Sequence, residues 1–130
     1  MDGTAKKRIL LVEDDEHLGD SLKRLLELDG FEVQIEVSGR MALTQAAKHR
    51  PDLVILDLKL PDMHGYQVCR ELRKLYHSWV VPILMFTGMD APIDQLRGFA
   101  HGADAYLTKP CQASEVLRTV HMLLGEMTPA

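Results

Sequence analysis

Carboxylates, a hydroxyl and an ammonium follow the short apolar runs of this chain. Glu13, Asp14 and Asp15 come directly after Ile9-Leu10-Leu11-Val12, and Asp57 after Leu53-Val54-Ile55-Leu56. Thr87 and Gly88 come after Met85-Phe86, and Thr108, Lys109 and Pro110 after Ala105-Tyr106-Leu107. Taken singly, each has an ordinary reading. Acids after a strand cap the next helix, a lone Asp occupies a turn, a Thr ends a strand, and a Lys lies on the surface. Taken together they could do chemistry. Crowded carboxylates repel one another and call for a cation. Oxygen donors without nitrogen or sulfur suit Mg²⁺. An Asp screened by that cation can attack a phosphoryl group and form an aspartyl phosphate. Lys109, the Thr87 hydroxyl and N–H groups near Gly88 could then stabilise the transferring oxygens, and Gly88 would leave room for them.

Such chemistry requires elements that bring these residues to one place. Residues 9–12, 53–57, 80–86 and 105–107 read as buried strands, with Pro82 near the start of the third of these, where proline is tolerated. Residues 31–37 alternate (Phe31, Val33, Ile35, Val37), as an edge strand does. Between them lie helical patterns. Leu18, Leu22, Leu25 and Leu26 form the first, closed by Gly30, and Met41, Leu43, Ala46 and Ala47 lie on the second. Val68, Leu72 and Leu75 share a face of the third, over about 65–75. Ile93, Leu96 and Phe99 mark a weaker fourth, stopped by Gly102, and Val116, Leu117, Val120, Leu123 and Leu124 mark the last. Five strands alternating with five helices imply an α/β domain with a parallel sheet covered on both faces. Every strand-to-helix loop then lies at one sheet edge, where open sheets bind ligands.

Composition narrows the classes. The net charge of −4 and the absence of a long basic block speak against nucleic-acid binding. No apolar run approaches a membrane span, and no signal peptide is apparent. Cys69 and Cys111 form no metal or redox motif and fit a reduced, cytoplasmic protein as small hydrophobes. The six histidines are scattered, which argues against a histidine metal site. One domain is expected over residues 1–130, with its core over about 7–125 and flexible ends.

Four stretches carry a family resemblance: residues 9–15, 53–65, 85–88 and 102–110. In this order and spacing they resemble the receiver domain of two-component response regulators over nearly the full length. The resemblance implies a flavodoxin-like (βα)5 doubly wound parallel five-stranded sheet, order 2-1-3-4-5. It implies Asp57 as phosphoacceptor, with Thr87 and Lys109 completing the catalytic set. The metal set it implies is Glu13 (acting more through water), Asp14, Asp57 and the main-chain carbonyl of Lys59, holding Mg²⁺. Asp15 is then a neighbour. Thr87 and Tyr106 match the switch pair, read out on the fourth helix, fifth strand and fifth helix, and the bond before Pro110 is expected to be cis. The implied partners are a histidine kinase or histidine phosphotransfer protein and an unknown downstream effector or output domain. The implied activity is not that of an enzyme beyond self-phosphorylation and slow self-dephosphorylation.

Some positions depart from the family pattern. Gly88 replaces a common Ala. Lys59 and Met89 flank the site and are expected to shield the phosphate from water. Cys111 and Gln112 weaken the start of the last helix, which is expected near Ser114, and Ala105 and Thr119 lack charges of one dimer face. Trp79 is expected at the opposite sheet edge, with fluorescence indifferent to Mg²⁺. Competing readings are a degenerate receiver serving as an interaction module, a dehalogenase-type phosphohydrolase and a flavin carrier. The hydrolase would need an Asp where Lys59 stands. The flavin carrier would have its phosphate repelled by Glu13, Asp14 and Asp15.

Overall fold

A computed structural model describes residues 5–75 and 80–126, so Trp79 lies outside the described residues. Its elements run β1 (Arg8–Val12), α1 (Glu16–Leu28), β2 (Glu32–Glu36), α2 (Gly39–Lys48), β3 (Leu53–Leu56), α3 (Gly65–Leu75), β4 (Ile83–Thr87), α4 (Pro92–Ala100), β5 (Ala105–Thr108) and α5 (Ala113–Leu123). The five strands pair in parallel in the order β2-β1-β3-β4-β5, the flavodoxin-like arrangement. Successive side chains of a strand point to opposite faces, and here both faces are buried. Ile9, Leu11, Leu53, Ile55, Leu84 and Phe86 pack with Leu22 and Leu26 of α1 and Val116 and Val120 of α5. Leu10, Val12, Val54, Leu56, Ile83 and Met85 pack with Ala42 and Ala46 of α2 and Val68, Cys69 and Leu72 of α3. Continuous apolar runs are what a strand covered twice requires.

Several local readings are corrected. β4 begins at Ile83, and Val80 is 71% exposed. Pro82 has no N–H to enter the ladder; its carbonyl accepts from Val54 at 3.0 Å, and the Ile83 N–H donates to the Asp104 carboxylate at 2.8 Å. The alternation in β2 breaks at its end, where Glu36 is buried and Val37 exposed. Leu75 of α3 and Met41 of α2 face outward. Ile93, Leu96 and Phe99 of α4 are also exposed, and the one buried residue of that helix is Gly98. α5 begins at Ala113, with Gln112 at its N-cap making no side-chain bond.

At the other sheet edge, His121 of α5 joins two carboxylates. Its Nε2 lies 2.6 Å from Asp29, which closes α1, and its Nδ1 lies 3.2 Å from Glu126. An imidazole can donate at both nitrogens only when protonated. The Asp29 bond holds the His121 pKa above its ordinary 6.5 against the pull of burial, and Glu126 adds to it. The resulting stability is complete below pH 6.5 and is lost as pH rises through the folded value. After solvent screening it amounts to no more than about 1 kcal/mol. The urea midpoint is therefore expected to drop between pH 6 and pH 9, and most of that drop is expected to vanish in His121→Gln. An identical pH profile in both proteins would contradict this.

Candidate functional site

The β1–α1 loop delivers three acids with three different surroundings. Glu13 is 2% exposed, and its N–H donates to the Glu36 carbonyl at 3.0 Å. Asp14 is exposed. Asp15 takes the ordinary role of helix cap, its carboxylate accepting the Leu18 N–H at 3.2 Å. The Asp15 N–H in turn donates to Glu13 Oε2 at 3.2 Å.

Asp57 follows β3 and is 7% exposed. Its N–H donates to the Val12 carbonyl at 3.1 Å, which seats it beside the end of β1. One oxygen from each of Glu13, Asp14 and Asp57 lies within 4.8 Å of the others. A cluster made only of carboxylate oxygens could hold a hard divalent cation such as Mg²⁺. The carbonyl of Lys59 belongs to the loop that leaves Asp57, and the Lys59 N–H donates to Asp57 Oδ1 at 3.3 Å.

Lys109 arrives from the end of β5. Its Nζ donates to Glu13 Oε1 at 2.7 Å and to Asp57 Oδ2 at 3.1 Å, and stands 5.6 Å from the centre of the Phe86 ring. The Lys109 N–H donates to the Thr87 carbonyl at 2.8 Å, and the Lys109–Pro110 bond is cis. Burial lifts the pKa of Glu13, although the Lys109 bond pulls the other way. Burial pulls the Lys109 pKa down, but the Glu13 bond and the Asp57 charge outweigh it and leave the value raised. The ammonium is therefore held in its charged form.

Thr87 is completely buried, and its hydroxyl accepts the Met89 N–H at 3.4 Å. Tyr106 is half-buried, and its hydroxyl donates to the Met89 carbonyl at 2.6 Å. Burial first, and then nearby charges, push its pKa up to about 12. The structure thus brings Glu13, Asp14, Asp57 and Lys109 into one cluster, with Thr87 and Tyr106 linked through the loop after β4. Lys59 is exposed and Met89 is half-buried against the core. A Cβ at Gly88 would meet no protein atom within 4 Å.

Sequence reasoning passed over Asp62. Its two oxygens accept the N–H groups of Gly39 at 2.8 Å and Arg40 at 2.9 Å, at the start of α2. No local pattern signals a contact across 23 residues. The other omission is Phe86 beneath Lys109, which reads in the sequence simply as core.

A 2-1-3-4-5 parallel sheet whose carboxyl edge gathers three acids and a lysine defines a flavodoxin-like domain of the receiver class. The chain belongs to the response regulator receiver domain family, whose model matches residues 9–121. It is 40% identical over 122 residues to the response regulator MprA of Mycolicibacterium vanbaalenii, covering 94% of this chain and 52% of that protein. The chain thus spans about half the length of the curated relatives it matches. Among solved structures, it is similar to a response regulator receiver domain protein (CheY-like) from Methanospirillum hungatei JF-1, with a TM-score of 0.87, 33% identity, and coverage of 94% and 96% of the two chains. It is also similar to the receiver domain of the sensor histidine kinase PA1611 from Pseudomonas aeruginosa PAO1, with a TM-score of 0.85, 30% identity, and coverage of 93% and 99%. That structure is described with a magnesium ion coordinated in its active site cleft. No helix among the described residues is long and apolar enough to cross a membrane.

Proposed function

We propose that this receiver domain is a phosphorylation-activated switch in a two-component or phosphorelay system, with Asp57 as phosphoacceptor. The observation that carries this reading is the Lys109 ammonium bonded to both Glu13 and Asp57 at the carboxyl edge of the sheet. A nearly buried carboxylate beside a fixed cation suits a nucleophile that must meet a phosphoryl group. An Asp57 oxygen forms the new bond to phosphorus as the phosphorus–nitrogen bond of a donor phosphohistidine breaks. The electron pair leaves on the imidazole, which takes up a proton. Lys109 pairs with the charge on the transferring oxygens, and the Thr87 hydroxyl turns from its Met89 contact to donate to them. Mg²⁺ held by Asp14, Asp57, the Lys59 carbonyl and, through water, Glu13 would neutralise phosphoryl charge.

The donor is a histidine kinase or histidine phosphotransfer protein in the cytoplasm, and the readout goes to a downstream effector or output domain. Tyr106 is tied to the loop that Thr87 begins, so drawing Thr87 toward a phosphate disturbs the Tyr106 bond and shifts the population of α4, β5 and α5 states. The outward Ile93, Leu96 and Phe99 give that surface apolar side chains for a partner. Lys59 and Met89 limit water at the phosphate, and the position of Lys59 offers no second Asp to drive hydrolysis. Incubating the protein with acetyl phosphate and Mg²⁺ should add one phosphoryl mass, mapped to Asp57. A folded protein that takes up none would overturn the reading and leave a phosphorylation-independent interaction module.

A further inference from the structure

The loop that leaves Asp57 is anchored at both ends. At its far side Asp62 spans two consecutive N–H groups of α2, Gly39 at 2.8 Å and Arg40 at 2.9 Å. Such charge-assisted pairs are about twice as strong as neutral hydrogen bonds, and a carboxylate is favoured at a helix N-terminus. The Arg40 and Gly39 N–H bonds hold the Asp62 carboxyl below its ordinary 3.8, so it stays ionised near neutral pH. Met63, the next residue, interlocks with the same helix: a Cβ on Gly39 would stand 2.4 Å from Met63 Cγ. At the other end, a Cβ on Gly65 would stand 2.7 Å from the Asp57 carbonyl oxygen and 2.6 Å from Leu58 Cα. Between these anchors lies Lys59, bridged to His64, with its N–H on Asp57 Oδ1 at 3.3 Å.

Asp62 is not the local cap of α2. Ser38 already occupies the N-cap of that helix and accepts the Met41 N–H at 3.2 Å. Asp62 takes the Gly39 and Arg40 N–H groups that Ser38 leaves, and because it comes from the loop it ties the loop to the helix. We propose that Asp62 is a positioning residue for the phosphoacceptor site: it fastens the loop to α2 and so holds the Lys59 peptide against Asp57. This inference rests on the reading of Asp57 as acceptor. Supporting groups one step removed from a metal's ligands commonly change its affinity about 10–100-fold when removed.

The test compares the full chain with Asp62→Ala and Asp62→Asn. Amide hydrogen exchange in metal-free protein reads Lys59, Gly39 and Arg40, with Val54 in the core as reference. Titration with Mg²⁺ alone reads the cluster. Asp62→Ala is expected to speed Lys59 exchange with Val54 unchanged, and to weaken Mg²⁺ binding about tenfold. Asp62→Asn, whose amide oxygen can still accept an N–H, is expected to recover part of both. Faster exchange confined to Gly39 and Arg40, with Lys59 exchange and Mg²⁺ affinity unchanged, would overturn the proposal and make Asp62 a cap for α2 alone. An unsubstituted protein that takes no phosphoryl group from acetyl phosphate would instead overturn the acceptor reading, while Lys59 exchange would still decide the fastening.

Discussion

In metal-free buffer, Asp57→Asn is expected to resist urea better than the unsubstituted protein, and with acetyl phosphate and Mg²⁺ it is expected to gain no phosphoryl mass. The adduct is lost because an amide is no nucleophile toward phosphorus; the stability is gained because the site is crowded with charge. Glu13, Asp14 and Asp57 crowd oxygens within 4.8 Å, and Lys109 is the ammonium bonded among them. Three negative charges thus face one positive charge. Burial already raises the Glu13 pKa, and the Asp57 charge adds to it. An amide at position 57 keeps the shape and removes that repulsion. At an effective dielectric of about 20, two carboxylates within 4.8 Å of Asp57 repel it by about 3–4 kcal/mol each, against about 5 kcal/mol of attraction to Lys109 at 3.1 Å, so a net gain of about 1 kcal/mol is expected. It should move the urea midpoint at constant slope. Added Mg²⁺ should reverse the order. A ligand at a hundred times its Kd stabilises by about 2.7 kcal/mol, and the variant has lost a carboxylate that would hold it. A metal-free variant less stable than the unsubstituted protein, or one that still gains the adduct, would contradict this account.

The second large effect is expected at Lys109. Lys109→Met keeps an unbranched stem near Phe86 and removes the ammonium. Glu13, 2% exposed, and Asp57, 7% exposed, then lose their shared cation. Removing one partner of a buried ion pair costs about 3–5 kcal/mol. The Lys109 side chain is 21% exposed, so water reduces the cost here to about 2–3 kcal/mol. Mg²⁺ should restore part of the stability, because it too neutralises the carboxylates. It should not restore the rate. Losing one fixed donor to developing charge commonly costs about 10²–10³-fold, and phosphoryl uptake at saturating Mg²⁺ is expected to slow by that order. Equal uptake rates at saturating Mg²⁺ would remove Lys109 from the proposed reaction.

Sequence reading and structure part company in α4 and β4, where packing outside any local window decides. The apolar residues Ile93, Leu96 and Phe99 repeat at helical spacing and do form a helix, yet they face solvent. Gly98 is the residue that turns inward: a Cβ there would stand 2.9 Å from the Tyr106 ring. Periodicity identifies a helix and its apolar stripe, but it cannot say whether the stripe meets this domain or something else. β4 is similar. Val80 looks like strand, but the ladder starts where Asp104, from the β5 side, can receive the Ile83 N–H. Asp15 illustrates the site itself, since three adjacent acids look alike in sequence and only the helix that follows makes one of them a cap.

Strand number, strand type and the residues at the strand ends were determined by the sequence alone. Runs buried on both faces, helical spacing and side-chain chemistry are local properties, legible in a window of a dozen residues. The 2-1-3-4-5 order followed from the family resemblance. Tertiary structure alone decided the partnerships. Lys109 meets Glu13 across 96 residues, and Asp62 reaches Gly39 across 23. Such pairs exist because sheet order and loop closure bring distant strand ends to one edge. Once there, electrostatics and burial select which acid takes the ammonium, which caps a helix and which stays open to solvent.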